Sequence, residues 1–166
     1  MQMFLTSPDY TKCAQDLDDK RLNKIIVESA QIASTTLWIL DCDKAETLTS
    51  KKECYLPTHE NHPLVKWSCE NYCNCRNILK YTFELCMEYL YRFGKTHKTL
   101  FIFESLSKSF YPYQFRKNWK PPTVQPNCTT NHKHIEDVYE AYRKELMLKW
   151  NDSSKWTKRK KPCYGT

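Results

Sequence analysis

Residues 18–37, DDKRLNKIIVESAQIASTTL, constrain the fold more tightly than any other stretch. At about 100° per residue, Leu22, Ile25, Ile26, Ser29, Ala30, Ala33 and Leu37 fall on one side of a helix. Lys20, Lys24, Glu28, Gln31 and Thr35 fall on the other. The pattern predicts an amphipathic helix capped by Asp18 or Asp19 and ending near Ile39. One face can enter a core; the other is free for chemistry. The polar face carries a single carboxylate, Glu28, with Lys24 one turn before it and Lys20 and Arg21 beyond. Such a setting suits an acid/base group beside an anionic substrate.

The remaining elements follow from caps and breakers. Ser7-Pro8-Asp9 predicts a short helix over residues 8–15. Residues 41–58 show no periodicity and read as a loop with at most one local turn. Asn61-His62-Pro63 opens a helical pattern over residues 64–93, stopped by Gly94 and interrupted at Asn71 and Asn74, where a kink or break is expected. Its stripe is Tyr72, Cys75, Leu79, Thr82, Phe83, Cys86, Leu90 and Phe93, which should pack lengthwise on the first long helix. A helix over residues 97–106 is expected to be held by Leu100, Phe101 and Phe103. The last covers residues 134–150, with Ile135, Val138, Tyr139, Tyr142, Leu146 and Trp150 in register and Met147 and Leu148 read as core.

Between these two helices, Pro112, Pro121, Pro122 and Pro126 exclude continuous helix or central strand. Phe110, Tyr111, Tyr113, Phe115, Arg116, Lys117, Trp119 and Lys120 stand among them, able either to stack on bases and touch phosphates or to cover one edge of a helical core. The tail concentrates Lys158, Arg159, Lys160 and Lys161 between Trp156 and Tyr164, with Lys155 just before them, which reads as a solvated terminus or a nucleic-acid contact. The expected architecture is all-α: one compact domain over residues 1–166, with about five helices, a long proline/aromatic loop and a basic-aromatic tail.

Composition narrows the function. With 166 residues and 40% hydrophobic content, one real core can form. A net charge of +7 favours a polyanionic partner. Only two glycines occur, in no phosphate-cradling motif, so no nucleotide cofactor is expected. Nine cysteines, an odd number, and no signal or membrane-spanning run point to free thiols in a reducing, intracellular setting, the cytoplasm of a bacterial or infected host cell. Cys69, Cys73 and Cys75 lack zinc-site spacing, so no metal is expected either.

A second chemical group stands at the start of the chain. Methionine removal requires a small second residue, and Gln2 is large, so the free α-amine should be that of Met1. α-Amines keep an unprotonated fraction near neutrality, so one can attack C1′ of a nucleotide and form a Schiff base while a carboxylate manages protons.

Leu17-Asp18-Asp19-Lys20-Arg21-Leu22 followed by Val27-Glu28, with the opening Met1-Gln2-Met3-Phe4-Leu5, Asp9-Tyr10, Ala14, Lys24 and Gln31, resembles the pyrimidine-dimer DNA glycosylase family of the phage endonuclease V type. His62 and residues 83–94 resemble its second long helix, and the region of Trp156 and Tyr164 its DNA-contacting C-terminus. The resemblance implies a monomeric, mostly helical protein that binds and bends double-stranded DNA, flips a nucleotide and cleaves the N-glycosidic bond, with an abasic-site lyase step. It implies Glu28 and Met1 as catalytic residues, and Lys20, Arg21, Lys24, Gln31, His62, Trp156, Lys158, Arg159, Lys160 and Tyr164 as the DNA side. Val27 and Gln31 stand where the phage endonuclease itself carries arginine, although Gln31 is among the residues shared with other phage and bacterial members. The alternatives are a non-catalytic DNA-binding module and a related enzyme acting on phage-modified bases.

Overall fold

The computed structural model describes residues 1–110 and 120–164. The aromatic and basic residues between Tyr111 and Trp119 therefore lie outside the described residues.

Seven helices occur among the described residues: α1 (Tyr10–Asp16), α2 (Asp19–Leu40), α3 (Cys42–Ser50), α4 (Pro63–Glu70), α5 (Tyr72–Phe93), α6 (Thr99–Ser109) and α7 (Val138–Lys149). No strand is present among these residues, and the chain forms one all-α domain. α2 and α5 pack along one another at the centre; α1, α4 and α6 close around α5, while α3, α4 and α6 close around α2. No helix among the described residues is long and apolar enough to cross a membrane.

One cap acts where the sequence places it and another does not: α1 starts two residues later than expected, because Asp9, not Ser7, is its N-cap, accepting the Thr11 N–H at 2.9 Å. Asp18 accepts the Arg21 N–H at 2.8 Å and starts α2. Asn71, extended at φ −160°, breaks the long pattern and caps α5 by accepting the Asn74 N–H at 2.9 Å. Gly94, at φ +63°, closes α5 in the left-handed region, where a side chain would be strained.

Several expectations change. The separation of α4 from α5 and the presence of α3 account for seven helices where about five were expected. α3 shows no periodicity because its buried apolar positions are only Ala45 and Leu48; Asp41, accepting the Lys44 N–H at 3.2 Å, starts it. α6 begins and ends later than residues 97–106, and α7 begins only after Asp137, which accepts the N–H groups of Tyr139 and Glu140.

Burial also shifts. α5 buries Ile78, Tyr81, Leu85, Glu88 and Arg92 as well as Cys75, Leu79, Thr82 and Cys86, because neighbours flank it on several sides. Phe83 and Leu90 are left at the surface. Phe101, Met147 and Leu148 are exposed and do not join the core; α6 buries Ile102 and Leu106, and α7 buries Val138, Tyr142 and Leu146. Thr35, expected on the polar face of α2, is fully buried: its hydroxyl donates to the Thr58 carbonyl and accepts the Thr58 N–H.

The tail is packed. Asp19 N–H donates to the Lys155 carbonyl, the Trp156 indole N–H donates to the Asp16 carbonyl at 3.1 Å, and Thr157 bonds the Asp19 carboxylate. A basic run can lie ordered because its aromatic members supply apolar area: Trp150 meets Trp156 edge to face and stacks on Tyr164.

Candidate active site

The site forms where the first residues of the chain cross the polar flank of α2. Residues 1–6 belong to no helix, so their backbone groups need partners from elsewhere. Distant side chains supply them. Glu28 Oε2 accepts the Gln2 N–H at 3.0 Å, and Gln125 Nε2 donates to the Met3 carbonyl at 3.3 Å. The Tyr81 hydroxyl accepts the Phe4 N–H at 3.1 Å and donates back to the Phe4 carbonyl at 3.4 Å. Arg143 donates to the Thr6 carbonyl at 3.0 Å. Met3, Phe4 and Leu5 bury their side chains, with Phe4 edge to face against Tyr142.

This arm leaves a cleft of about 530 Å³ between itself and α2. Met1, Gln2 and Phe4 line one side; Lys20, Arg21, Lys24, Ile25 and Glu28 line the other, with Cys128 and Lys149 completing it. The α2 residues recur every three to four positions, so a single flank of the helix supplies them all. Glu28 is 17% exposed, accepting the Gln2 N–H on one oxygen and facing Lys24 Nζ at 3.5 Å on the other. Lys24 is 69% exposed and remains free to swing. Arg21 is committed to the Asp18 carboxylate and the Lys149 carbonyl, and Lys149 Nζ is paired with buried Glu145 at 3.0 Å. Lys20 is exposed, with no ion pair among the described residues.

Two groups register the amine at the start of the chain. His62, the N-cap of α4, has its pKa lowered by burial and then by the Met1 ammonium. Burial raises the Cys128 thiol, with the hydrogen bond from Tyr142 and the same ammonium acting in the opposite sense. Met1 and Cys128 both line the cleft that holds Glu28.

Met1, Lys20, Arg21, Lys24 and Glu28 are therefore brought together around one cleft, while His62 caps α4 and is not part of that lining. Gln31 is not among them. It lies one turn further along α2 and lines a separate groove of about 490 Å³ with Lys52, Tyr55, Leu56 and Thr58. The tail residues form another group. Arg159 bonds both oxygens of Glu88 at 2.8–2.9 Å, and Lys158 donates to the Tyr91 carbonyl at 2.9 Å. Trp156 and Tyr164 pack around Trp150, while Lys160 is exposed. Sequence reasoning missed Gln2 as a partner of Glu28, and Cys128 and Lys149 as walls; no local pattern marks them. Among the described residues, no cluster of three His, Cys, Asp or Glu could hold a metal ion.

The cleft thus sets one carboxylate beside the first residues of the chain, with lysines at its rim, in an all-helical fold. Residues 1–101 match the family model described as pyrimidine dimer DNA glycosylase, and the chain belongs to that family. At family level, this places it among the DNA glycosylases of DNA repair. No curated protein and no solved structure gives a match. The matched residues include Met1, Gln2, Lys20, Arg21, Lys24, Glu28 and His62; Cys128, Lys149 and the tail lie beyond them.

Proposed function

We propose that the protein excises damaged pyrimidines from double-stranded DNA, using the Met1 α-amine as nucleophile and Glu28 as proton carrier, and then cleaves the abasic strand. One observation carries this reading: Glu28 lies in the same cleft as the start of the chain, its carboxylate only lightly engaged and lysines at the rim. Lys20, with no ion pair among the described residues, and Lys24, exposed and only loosely paired with Glu28, would meet phosphates, placing the duplex over the cleft. The target nucleotide would leave the stack to enter it.

In this chemistry the amine lone pair forms a bond to C1′ while the C1′–N1 bond breaks, its electron pair leaving with the base, which is protonated. The amine gives up a proton to Glu28, and Glu28 returns one to O4′ as the sugar ring opens to a protonated imine. Loss of a C2′ proton then expels the 3′-phosphate, and water releases the amine. The Glu28 carboxylate favours the positive charge that develops at C1′, and the lysines at the rim favour the negative charge on the departing phosphate.

Val27 and Gln31 give α2 no arginine next to Glu28. The test therefore uses UV-irradiated, abasic and modified-base duplexes, with borohydride, on the wild-type protein, Glu28→Gln and an N-terminally acetylated form. The expected result is base release on the UV-irradiated duplex and a trapped adduct that maps to the Met1 peptide, with the adduct lost on acetylation. No base release and no adduct on any duplex would overturn the reading. Salt-sensitive binding without scission, unchanged by Glu28→Gln, would establish a binding module in its place.

A further inference from the structure

Residues 123–129 form no helix, yet they are fixed at both ends. At one end the Thr123 N–H donates to Asn74 Oδ1 at 3.0 Å, and the Thr123 hydroxyl accepts the Trp67 indole N–H at 2.9 Å, so α4 and α5 hold the segment. At the other, Asn127 Nδ2 donates to the His132 carbonyl at 3.0 Å, and the Cys128 N–H donates to the buried Tyr142 hydroxyl on α7 at 3.2 Å. The segment is a strap that meets the first residues of the chain. Two bonds join them: Gln125 Nε2 donates to the Met3 carbonyl at 3.3 Å, and Gln2 Nε2 donates to the Cys128 carbonyl at 3.4 Å.

Gln2 is therefore held twice. Its backbone N–H goes to Glu28 on α2 at 3.0 Å and its side chain to the strap, and Met1, Gln2, Glu28 and Cys128 all line the same cleft. The rest of the arm is fastened by other means. Met3, Phe4 and Leu5 bury their side chains, while Tyr81 and Arg143 bond the backbone of Phe4 and Thr6. The part-buried Gln2 amide lies outside that anchorage and acts on the one residue that joins it to Met1.

We propose that Gln2 is a positioning residue for the N-terminal amine, its side-chain amide tying the chain to the Cys128 carbonyl while Glu28 holds its backbone N–H. With residue 2 held at two points, the amine moves chiefly by rotation about the Cα–C bond of Met1, inside the cleft that holds Glu28. Limiting a nucleophile's freedom shortens its search for C1′. The role makes the strap, which lies beyond the residues that match the family model, part of the site. It rests on the Met1 amine being the nucleophile.

Methionine and arginine separate the amide from the bulk of the side chain. Gln2→Met has nearly the same length and no donor; Gln2→Arg restores an N–H donor and adds no second amine that could be trapped. A mass measurement verifies that each variant begins at Met1. At saturating abasic duplex, the borohydride-trapping rate should fall about 10-fold in Gln2→Met and return to within about 3-fold of wild type in Gln2→Arg. Gln2→Met should keep the wild-type Kd for undamaged duplex and the wild-type urea midpoint. Hydrogen exchange at the residue-2 amide, measured without DNA, should accelerate in Gln2→Met alone. Equal trapping losses in the two variants would overturn the proposal in favour of side-chain packing. Trapping by Gln2→Met at the wild-type rate, or unchanged exchange at residue 2, would overturn this role alone. No adduct from the wild type would overturn the amine as nucleophile, and this role with it.

Discussion

Glu28 on α2 and Glu88 on α5 look alike in the sequence: each lies on a 22-residue helix, four positions from a cation. Their surroundings are opposite. Glu88 is 4% exposed and saturated, accepting Arg92 Nε at 2.7 Å and two bonds from Arg159. Burial pushes its pKa up, but Arg159 and Arg92 outweigh burial and hold it below the ordinary value. Arg92 is itself fully buried and also binds Asp19 and the carbonyls of Leu17, Gln15 and Ala14, fastening α5 to the junction of α1 and α2. Glu28 accepts one backbone N–H and faces one mobile lysine. A carboxylate whose acceptors are full can hold a fold together; one with spare acceptor capacity beside a cleft can exchange protons with a substrate.

The largest expected effect tests the open carboxylate. Glu28→Gln should lower base release by about 10²–10⁴-fold, the usual range for removing an acid/base group, with an unchanged urea midpoint. An unchanged rate would remove the catalytic half of the contrast. Next comes the saturated site. Arg92→Ala strips Glu88 and three buried carbonyls of a donor and should cost about 3–5 kcal/mol in urea unfolding, while protein that remains folded keeps Glu28 in place. A cost under about 1 kcal/mol would mean that the hub is not what fastens the helices.

Smaller effects separate free from committed cations. Lys20→Ala and Lys24→Ala should each reduce the slope of log K against log salt by about one, whereas Arg159→Gln should leave it unchanged in folded protein because Glu88 already holds that guanidinium. Equal slope losses at all three would place the tail on the DNA. The smallest effect is in pH. His62 faces the Met1 ammonium, His59 and Glu28, and burial together with the ammonium keeps its folded pKa below the ordinary value. The unfolded chain takes up that proton at about pH 6.5, so the stability contributed by neutral His62 is full above that pH and declines as pH falls toward the folded pKa. The acid limb of the stability profile should be flatter in His62→Asn; identical limbs would show that His62 does not titrate differently on folding.

Much of the scaffold was legible from short spacings. The cap at Asp18, the break at Asn71, the stop at Gly94 and the buried stripe of α2 all arise from neighbours within a turn or two, where helix geometry acts directly on sequence. α3 was not legible because two buried residues make no period, and Phe101, Met147 and Leu148 were misread because periodicity does not reveal which flank a neighbour covers. For the tail, charge suggested a solvated terminus or a nucleic-acid contact; what it did not reveal is that Trp150 and Glu88 give Trp156 and Arg159 partners inside the fold.

By itself, the sequence determined an all-helical chain, a polar flank on α2 with one carboxylate, and membership of a DNA glycosylase family. Only the tertiary structure decided that this carboxylate meets the backbone of Gln2, that Gln31 faces another groove and that Arg159 is spent on Glu88. The reason is range. Helix formation is settled by contacts three or four residues apart, whereas the arm that meets Glu28 is held by Tyr81, Gln125 and Arg143, far along the chain, and only packing selects among such partners.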